Sequence, residues 1–226
     1  MVELMLLYFD CSWKDKTMKV VIIPGNGGGS VECSGWYAWV RDALLSDHRL
    51  HEVILRDMPD PMAARECYWI PFMRDELRCD QNTIIIGHSS GAAAAMRYAE
   101  LHPVAGLVLV GAYASDLGDK TEKLSGYFSR PWSWHIIRQN SSYIVQFGST
   151  DDPFLPWHEQ KEVAESLGAD LREFCDHGHF IDVEFPELVS AVRERLGCST
   201  AEWTESVLYA GKMLSVVRLS NVYMQF

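Results

Sequence analysis

A serine lies at the centre of the pentapeptide Gly-His-Ser-Ser-Gly at residues 87–91. An apolar run, residues 83–86, precedes it and four alanines, residues 92–95, follow it. This pattern predicts a buried strand, a tight turn and the start of a helix. Such a turn would expose the Ser89 hydroxyl beside the positive end of the helix, where it could act as a nucleophile. An ordinary Gly-Ser turn is the alternative, and the flanking strand and helix favour the nucleophile.

A serine hydroxyl is a weak nucleophile, so it needs a base, and the base needs an acid to orient it. Two loops after later strands supply such groups, in the chain order serine, acid, histidine. Asp152 precedes Pro153, which restricts it to extended backbone, and His179 follows Gly178, which can adopt unusual backbone angles. We therefore predict that Asp152 is the acid and His179 is the base. The alternatives are Asp151 or Asp176 as the acid and His177 as the base.

The oxyanion of a tetrahedral intermediate would need backbone N–H donors close to Ser89. We predict that Ser90 supplies one N–H and that the glycine-rich loop, residues 25–29, supplies the other. The loop could alternatively cradle a phosphate, but Ser30 stands where the fingerprint Gly-x-Gly-x-x-Gly has its last glycine. The sequence therefore predicts no nucleotide or other organic cofactor. The oxyanion-binding and substrate-binding candidates in the loop are Gly25, Asn26 and Gly27.

Aromatic residues are frequent near these predicted loops. We expect at least one of Trp36, Trp132 and Trp157 to line an apolar acyl pocket. The alternative is that most of these aromatic side chains belong to the core. Residues 115–140, here called the insertion segment, form the longest stretch without a predicted strand and could make a small cap over the site.

The other histidines and the cysteines show no signature of a metal site. His88 is next to the proposed nucleophile and is interpreted as structural. His48 and His51 have the spacing of two ligands, but no third ligand lies near them in the sequence. The six cysteines contain no Cys-x-x-Cys pair, which favours reduced thiols in a cytosolic or nuclear protein and predicts no metal. The histidines interpreted as surface residues are His48, His51, His102, His135 and His158.

Length, composition and charge limit the class of protein. The chain has 226 residues, 48% of them hydrophobic and 12% aromatic, which is enough for one globular domain with a substantial core. Its net charge of −11 disfavours nucleic acid and anionic membrane surfaces as partners. The apolar run at residues 4–9 is short and lacks the basic residues of a targeting signal. No stretch reaches the roughly 20 apolar residues of a membrane span.

Strands and helices are predicted to alternate along the chain. This order predicts an α/β fold with a mostly parallel sheet covered by helices on both faces. We expect a single domain over residues 18–197, with residues 1–17 and 198–226 as terminal extensions. The predicted strands are residues 18–24, 52–56, 83–86, 105–111, 143–148 and 170–174. The predicted helices are residues 35–45, 61–77 with an interruption at Pro71, the segment after the turn at Ser89, and residues 156–167 and 186–196.

Several of these segments, taken together, closely resemble the retinoblastoma-binding protein 9 family, which are small serine hydrolases with the α/β-hydrolase fold and a minimal lid. The resemblance covers about residues 18–196 and implies Ser89 as nucleophile, Asp152 as acid and His179 as base. It also implies a cytoplasmic and nuclear location and hydrolysis of small ester or amide substrates, with aminopeptidase-like release of aromatic amino acids. The segments that carry the resemblance are residues 21–29, 58–61, 84–91, 126–128 and 146–157.

The same resemblance implies a function of a different class, the binding of retinoblastoma-type pocket proteins. That family binds them through a Leu-x-Cys-x-Glu element, and the matching stretch here begins at Leu77 and contains Cys79. Gln81 replaces the glutamate and removes a charged acceptor. Leu77 and Cys79 also lie at the end of a predicted helix, where we expect them to be buried. We therefore predict an enzyme, with a non-catalytic interaction protein as the alternative. The matching stretch in full is Leu77-Arg78-Cys79-Asp80-Gln81.

Overall fold

A computed structural model describes residues 18–27 and 29–197. Within these residues, six parallel strands form one sheet in the order β2-β1-β3-β4-β5-β6. The strands are β1 (Met18–Ile23), β2 (Leu50–Leu55), β3 (Thr83–His88), β4 (Gly106–Val110), β5 (Ile144–Ser149) and β6 (Asp170–Phe174). The helices are α1 (Tyr37–Leu45), α2 (Glu66–Asp75), α3 (Ser90–Leu101), α4 (Lys120–Ser125), α5 (Trp134–Gln139), α6 (Trp157–Leu167) and α7 (Pro186–Gly197), with a 3₁₀ turn at Val31–Cys33.

The parallel sheet and its flanking helices confirm the predicted α/β class. The central strands are buried along almost their whole length, because side chains on both faces of the sheet are covered. This explains why these strands lack a polar and apolar alternation in the sequence. Since all strands run in the same direction, the loops that follow β1, β3, β5 and β6 begin at the same edge of the sheet.

Helix α3 packs close to the centre of the sheet because its first turns are built from small residues. The four alanines from Ala92 to Ala95 are fully buried. Further along the helix, the buried guanidinium of Arg97 donates hydrogen bonds to the backbone carbonyls of Tyr127, Arg130 and Pro131. Arg97 therefore fastens the insertion segment to α3.

The predicted interruption at Pro71 is wrong, since α2 continues through this residue. Pro71 removes one backbone donor from the helix, which normally breaks or kinks it. Here Trp69, Ile70 and Met73 are buried. Burial of these large apolar side chains outweighs the local cost, so tertiary packing decides the structure of the segment.

The described residues fall into two compact units, divided after Pro186. The first contains the whole sheet and helices α1–α6, and the described part of the second lies within α7. The terminal extensions predicted at residues 1–17 and 198–226 lie outside the described residues, and a single domain over residues 18–197 stays a prediction. Over the described ranges, no helix has the length and apolar character needed to cross a membrane.

Candidate active site

The turn between β3 and α3 holds Ser89 in an uncommon backbone conformation. Its φ is 55° and its ψ is −119°, a region that non-glycine residues rarely adopt and that marks local strain. The Ser89 N–H donates to the Val110 carbonyl at 2.9 Å, which fixes the turn against β4. The hydroxyl is thereby placed at the carboxyl edge of the sheet, in the wall of a cavity.

The two glycines of the pentapeptide are required by close backbone contacts. A Cβ atom on Gly87 would lie within 3.0 Å of backbone atoms of Gly91 and Ala92. A Cβ atom on Gly91 would lie within 3.0 Å of the Ile23 and Pro24 carbonyl groups at the end of β1. The sharp turn therefore requires glycine at both positions, and it brings the glycine-rich loop beside Ser89.

A continuous chain of hydrogen bonds connects Ser89, His179 and Asp152. His179 Nε2 lies 3.1 Å from Ser89 Oγ. His179 Nδ1 lies 2.8 Å from Asp152 Oδ2. With Nε2 accepting the serine proton, Nδ1 carries a hydrogen and donates it to the carboxylate. The structure thus brings together the serine, acid and histidine that the sequence analysis preferred.

Asp152 is held rigidly by its own loop. Its Oδ1 atom accepts the backbone N–H groups of Phe154 and Leu155 at 2.9 and 3.0 Å, while Oδ2 faces the histidine. The Asp152 side chain is fully buried and that of His179 is 12% exposed. A buried carboxylate with both oxygens engaged is well suited to orient an imidazole.

The alternative acids and base make other contacts. Asp151 Oδ1 accepts from the Ser149 hydroxyl and from the Gly178 N–H, so it connects the acid loop to the histidine loop. The Ser149 hydrogen bond lowers the pKa of Asp151 below its ordinary value. His177 pairs with Asp176 at 3.0 Å, and its ring stacks on Phe174 rather than facing Ser89.

The glycine-rich loop does not offer all three of its predicted residues as donors. The Gly25 N–H donates to the Tyr37 hydroxyl at 3.0 Å, and the Gly27 N–H donates to the Pro61 carbonyl at 2.9 Å. In the described part of the chain, the N–H groups of Asn26 and Ser90 have no such partner. Because other groups already use the N–H hydrogens of Gly25 and Gly27, Asn26 is the one of the three candidates left to supply the loop's donor. All three residues line the cavity beside Ser89, so their assignment to substrate binding stays a prediction.

A cavity of about 730 Å³ contains Ser89 and His179 in its wall. The insertion segment contributes part of this wall, as expected for a small cap. Two of the lining residues are acidic, and the described lining contains no lysine or arginine. The acidic residues are Asp119 and Glu122, and the apolar lining residues are Met62, Leu117, Phe154, Leu155, Phe180 and Ile181.

The prediction that Trp36, Trp132 or Trp157 lines this cavity is wrong, since none of the three is among its described lining residues. Trp36 is buried and donates from Nε1 to the Phe180 carbonyl at 2.9 Å. Trp132 donates to the Ala114 carbonyl and lies against the Arg97 guanidinium. The Trp157 ring fills the space beside Gly148. Trp36 is thus in the core, Trp132 and Trp157 are half-buried in contacts outside the cavity, and smaller apolar residues form the cavity wall.

Two polar residues of the site were missed by the sequence analysis. Tyr37 bonds to both Gly25 and His88, and Glu122 accepts hydrogen bonds from the Asn26 amide and the Tyr113 hydroxyl. Burial raises the pKa of Glu122. Neither residue belongs to a sequence motif. Their partners are mostly distant in the chain, so no local pattern could have identified them.

The stretch that matches the pocket-protein element is largely built into the fold. Leu77 and Cys79 are buried. The Leu77 and Arg78 carbonyls accept hydrogen bonds from Lys19 Nζ, and the Cys79 carbonyl accepts one from the Tyr98 hydroxyl. An extended peptide motif needs these side chains and backbone groups to be accessible, so the folded stretch is poorly suited to this mode of binding.

Comparison with known proteins places this geometry in context. Residues 20–186 match the family model described as serine hydrolase. Serine hydrolase RBBP9 from Rattus norvegicus is 59% identical over 178 residues, which cover 79% of this chain and 95% of the relative. The crystal structure of the ydeN gene product from B. subtilis has a TM-score of 0.72 at 24% identity, covering 80% of this chain and 100% of that chain. The α/β hydrolase MGS-M2 from a Medee basin deep-sea metagenome library has a TM-score of 0.61 at 14% identity, covering 82% and 91%.

Proposed function

Because the chain belongs to the serine hydrolase family, we propose that Ser89, His179 and Asp152 form its catalytic triad. The observation that carries this proposal is the hydrogen-bonded chain from Ser89 Oγ through the His179 ring to Asp152 Oδ2. Its order and atoms are those needed for a serine to lose its proton to a histidine that an acid orients. The strained turn at Ser89 and the adjoining cavity support the same assignment.

Acylation begins when His179 Nε2 takes the Ser89 hydroxyl proton as Oγ attacks the carbonyl carbon of an ester or amide. Asp152 stabilises the positive charge that forms on the imidazole. The carbonyl oxygen becomes an oxyanion, which the N–H groups of Ser90 and Asn26 stabilise. The intermediate collapses when the bond to the leaving group breaks and His179 gives its proton to that group.

Deacylation repeats these steps with water as the nucleophile. His179 accepts a proton from water while the water oxygen attacks the carbonyl carbon of the acyl-enzyme. A second oxyanion occupies the same pair of N–H donors. The bond between the acyl carbon and Ser89 Oγ then breaks, His179 returns the proton to Ser89, and the acid product leaves.

The cavity supports a small substrate with an apolar acyl group and no negative charge. Its apolar wall includes Phe154, Leu155 and Ile181. Asp119 and Glu122 would repel an anionic substrate and attract a free amino group. These features support aminopeptidase-like release of aromatic amino acids, the activity suggested by the family resemblance. Pocket-protein binding is not proposed, because Leu77 and Cys79 are buried.

Labelling with a fluorophosphonate probe tests the proposed nucleophile and base. The folded wild-type protein should be labelled, and the label should disappear in Ser89→Ala and decrease strongly in His179→Ala. His177→Ala is the matched control, since this neighbouring histidine faces Phe174. Labelling that persists in Ser89→Ala, or a folded wild-type protein that is not labelled, would overturn the proposed triad. The rates of hydrolysis of an aminoacyl ester and of a simple acyl ester with the same leaving group then show which of these two substrate classes the enzyme prefers.

A further inference from the structure

The buried ring of His88 is bonded at both nitrogens. Its Nδ1 atom lies 2.6 Å from the Tyr37 hydroxyl oxygen. Its Nε2 atom lies 2.9 Å from the backbone carbonyl oxygen of His179. The ring also lies close to the rings of Trp36, Tyr37 and His179, with centroid separations of 5.7, 5.8 and 5.0 Å. His88 therefore contacts the proposed base although it precedes the proposed nucleophile in the chain.

The chemistry of the partners fixes the direction of each hydrogen bond. A carbonyl oxygen only accepts, so His88 Nε2 carries the hydrogen and donates it to His179. Burial lowers the pKa of His88 to about 3, so the ring is neutral and Nδ1 is an acceptor. The Tyr37 hydroxyl must then donate to Nδ1. Burial raises the pKa of Tyr37 to about 12, which keeps that donor protonated.

The Tyr37 oxygen also accepts the Gly25 N–H at 3.0 Å. A directed series of hydrogen bonds thus runs from Gly25 through Tyr37 and His88 to the His179 carbonyl. Gly25 directly precedes Asn26, whose N–H is the proposed oxyanion donor. The two ends of the series therefore lie on the glycine-rich loop and on the histidine loop, while His88 is joined covalently to Ser89.

We propose that Tyr37 and His88 are positioning residues that hold the oxyanion donor and the base in fixed geometry around Ser89. This inference rests on the proposed catalytic triad. Every donor in the series has an acceptor, so a shift of either loop would break at least one of these buried hydrogen bonds. Loss of the Tyr37 hydroxyl leaves the Gly25 N–H and His88 Nδ1 without partners and frees the glycine-rich loop to shift.

The main test compares Tyr37→Phe with Tyr98→Phe. Tyr98 is a matched control because it is also buried and its hydroxyl donates to the Cys79 carbonyl, away from the cavity. With 4-nitrophenyl acetate as substrate, Tyr37→Phe should lower kcat by about 10- to 100-fold, because small displacements of catalytic groups are costly. Its KM should stay within about threefold of wild type, since Tyr37 lines the cavity and the substitution keeps its ring and removes only the hydroxyl. Tyr98→Phe should keep the wild-type kcat.

A second variant tests the other half of the series and covers a failure of Tyr37→Phe to fold. His88→Asn keeps an acceptor for Tyr37 but is too short to reach the His179 carbonyl. His88→Asn should also lower kcat by about tenfold or more and leave KM unchanged. The kinetics are measured at a temperature at which a thermal unfolding curve shows that the variant is folded.

The outcomes separate this inference from the proposed function. If Tyr37→Phe and His88→Asn both turn over like Tyr98→Phe while Ser89→Ala is inactive, the positioning role is overturned and the triad stands. If Ser89→Ala retains wild-type activity, the triad and the inference that rests on it are both overturned. A fall in kcat that follows only the loss of folded protein, as in an equally destabilised Tyr98→Phe, would also overturn the positioning role.

Discussion

Neighbouring aspartates after β5 have different partners, although they differ by one position. Asp152 faces His179, whereas Asp151 accepts from Ser149 and Gly178. The Asp152 N–H donates to the Ser149 carbonyl at 3.3 Å, so the two aspartates lie in a turn that directs their side chains to different partners. Asp151 instead joins the ends of β5 and the histidine loop.

Replacing these two aspartates separates their roles. Asp152→Asn should lower kcat by about 10⁴-fold or somewhat less, because the amide no longer stabilises the imidazolium or selects its tautomer. Asp151→Asn keeps a side-chain oxygen that can accept from Ser149 and Gly178, so its kcat should fall by less than about tenfold. Steady-state kinetics with one ester substrate measures both.

The reverse result would identify a different acid. If Asp151→Asn abolishes turnover and Asp152→Asn is nearly as active as wild type, then Asp151 is the acid in solution. Circular dichroism of both variants shows that the comparison is between folded proteins.

At the scale of elements, two of the attachments of the insertion segment involve Arg97 and Glu122. Arg97 on α3 bonds to three carbonyls of this segment. Glu122 on α4 accepts hydrogen bonds from the side-chain amide (Nδ2) of Asn26 at 3.2 Å and from the Tyr113 hydroxyl. The Tyr113 hydroxyl in turn lies 3.5 Å from Ser90 Oγ. Glu122 thus contacts Asn26 directly and is connected to Ser90 through Tyr113. Asn26 and Ser90 are the two residues whose N–H groups are proposed to bind the oxyanion.

Glu122→Ala should lower kcat by about tenfold, because Asn26 loses the acceptor that restrains its side chain. Glu122→Gln keeps an acceptor for Asn26, so its kcat should fall less than that of Glu122→Ala. Some loss should remain, because hydrogen bonds to a neutral acceptor are weaker than those to a charged one. Kinetics of the two variants with 4-nitrophenyl acetate measures the gradation. Equal, wild-type kcat in both would show that α4 does not restrain the glycine-rich loop.

At the scale of the whole molecule, the buried side chain of His88 makes the free energy of unfolding depend on pH. Burial lowers the pKa of His88 to about 3 in the folded protein, from an ordinary value of 6.5. Between these two values the unfolded chain binds a proton that the folded protein excludes, so stability falls as the pH falls. Above 6.5 both states are neutral at this residue, and its contribution is constant.

We expect the free energy of unfolding to fall with decreasing pH between about 6 and 4 by up to about 1.4 kcal/mol per pH unit from this residue. His88→Gln lacks the titrating group, so its unfolding free energy should depend less steeply on pH over the same interval. Urea unfolding at several pH values gives both slopes. Identical slopes would show that His88 is not the group that excludes the proton.

The order of the six strands and of helices α1–α3, α6 and α7 followed from the sequence because each of these elements has a strong local pattern. The short helices α4 and α5 of the insertion segment were not predicted. The boundaries of β6 agree with the prediction, and those of the other strands differ by a few residues. Pro71 misled the prediction, since its local preference against helix is weaker than the burial of Trp69 and Met73 beside it. The tryptophans misled it as well, because a large apolar side chain suits a core and a ligand pocket equally, and composition does not distinguish them.

The sequence by itself determined the turn at Ser89 and the groups that could serve as its acid and base. Glycines, alanines and an apolar run within a few residues of Ser89 suffice to dictate that turn, since the steric limits are local. Only the tertiary structure decided which groups meet. Asp152 and His179 are 27 residues apart and Ser89 and His179 are 90 apart, so their contacts depend on the order and register of parallel strands. The same holds for the series from Gly25 to His179, because buried donors and acceptors find their partners only when distant loops pack together.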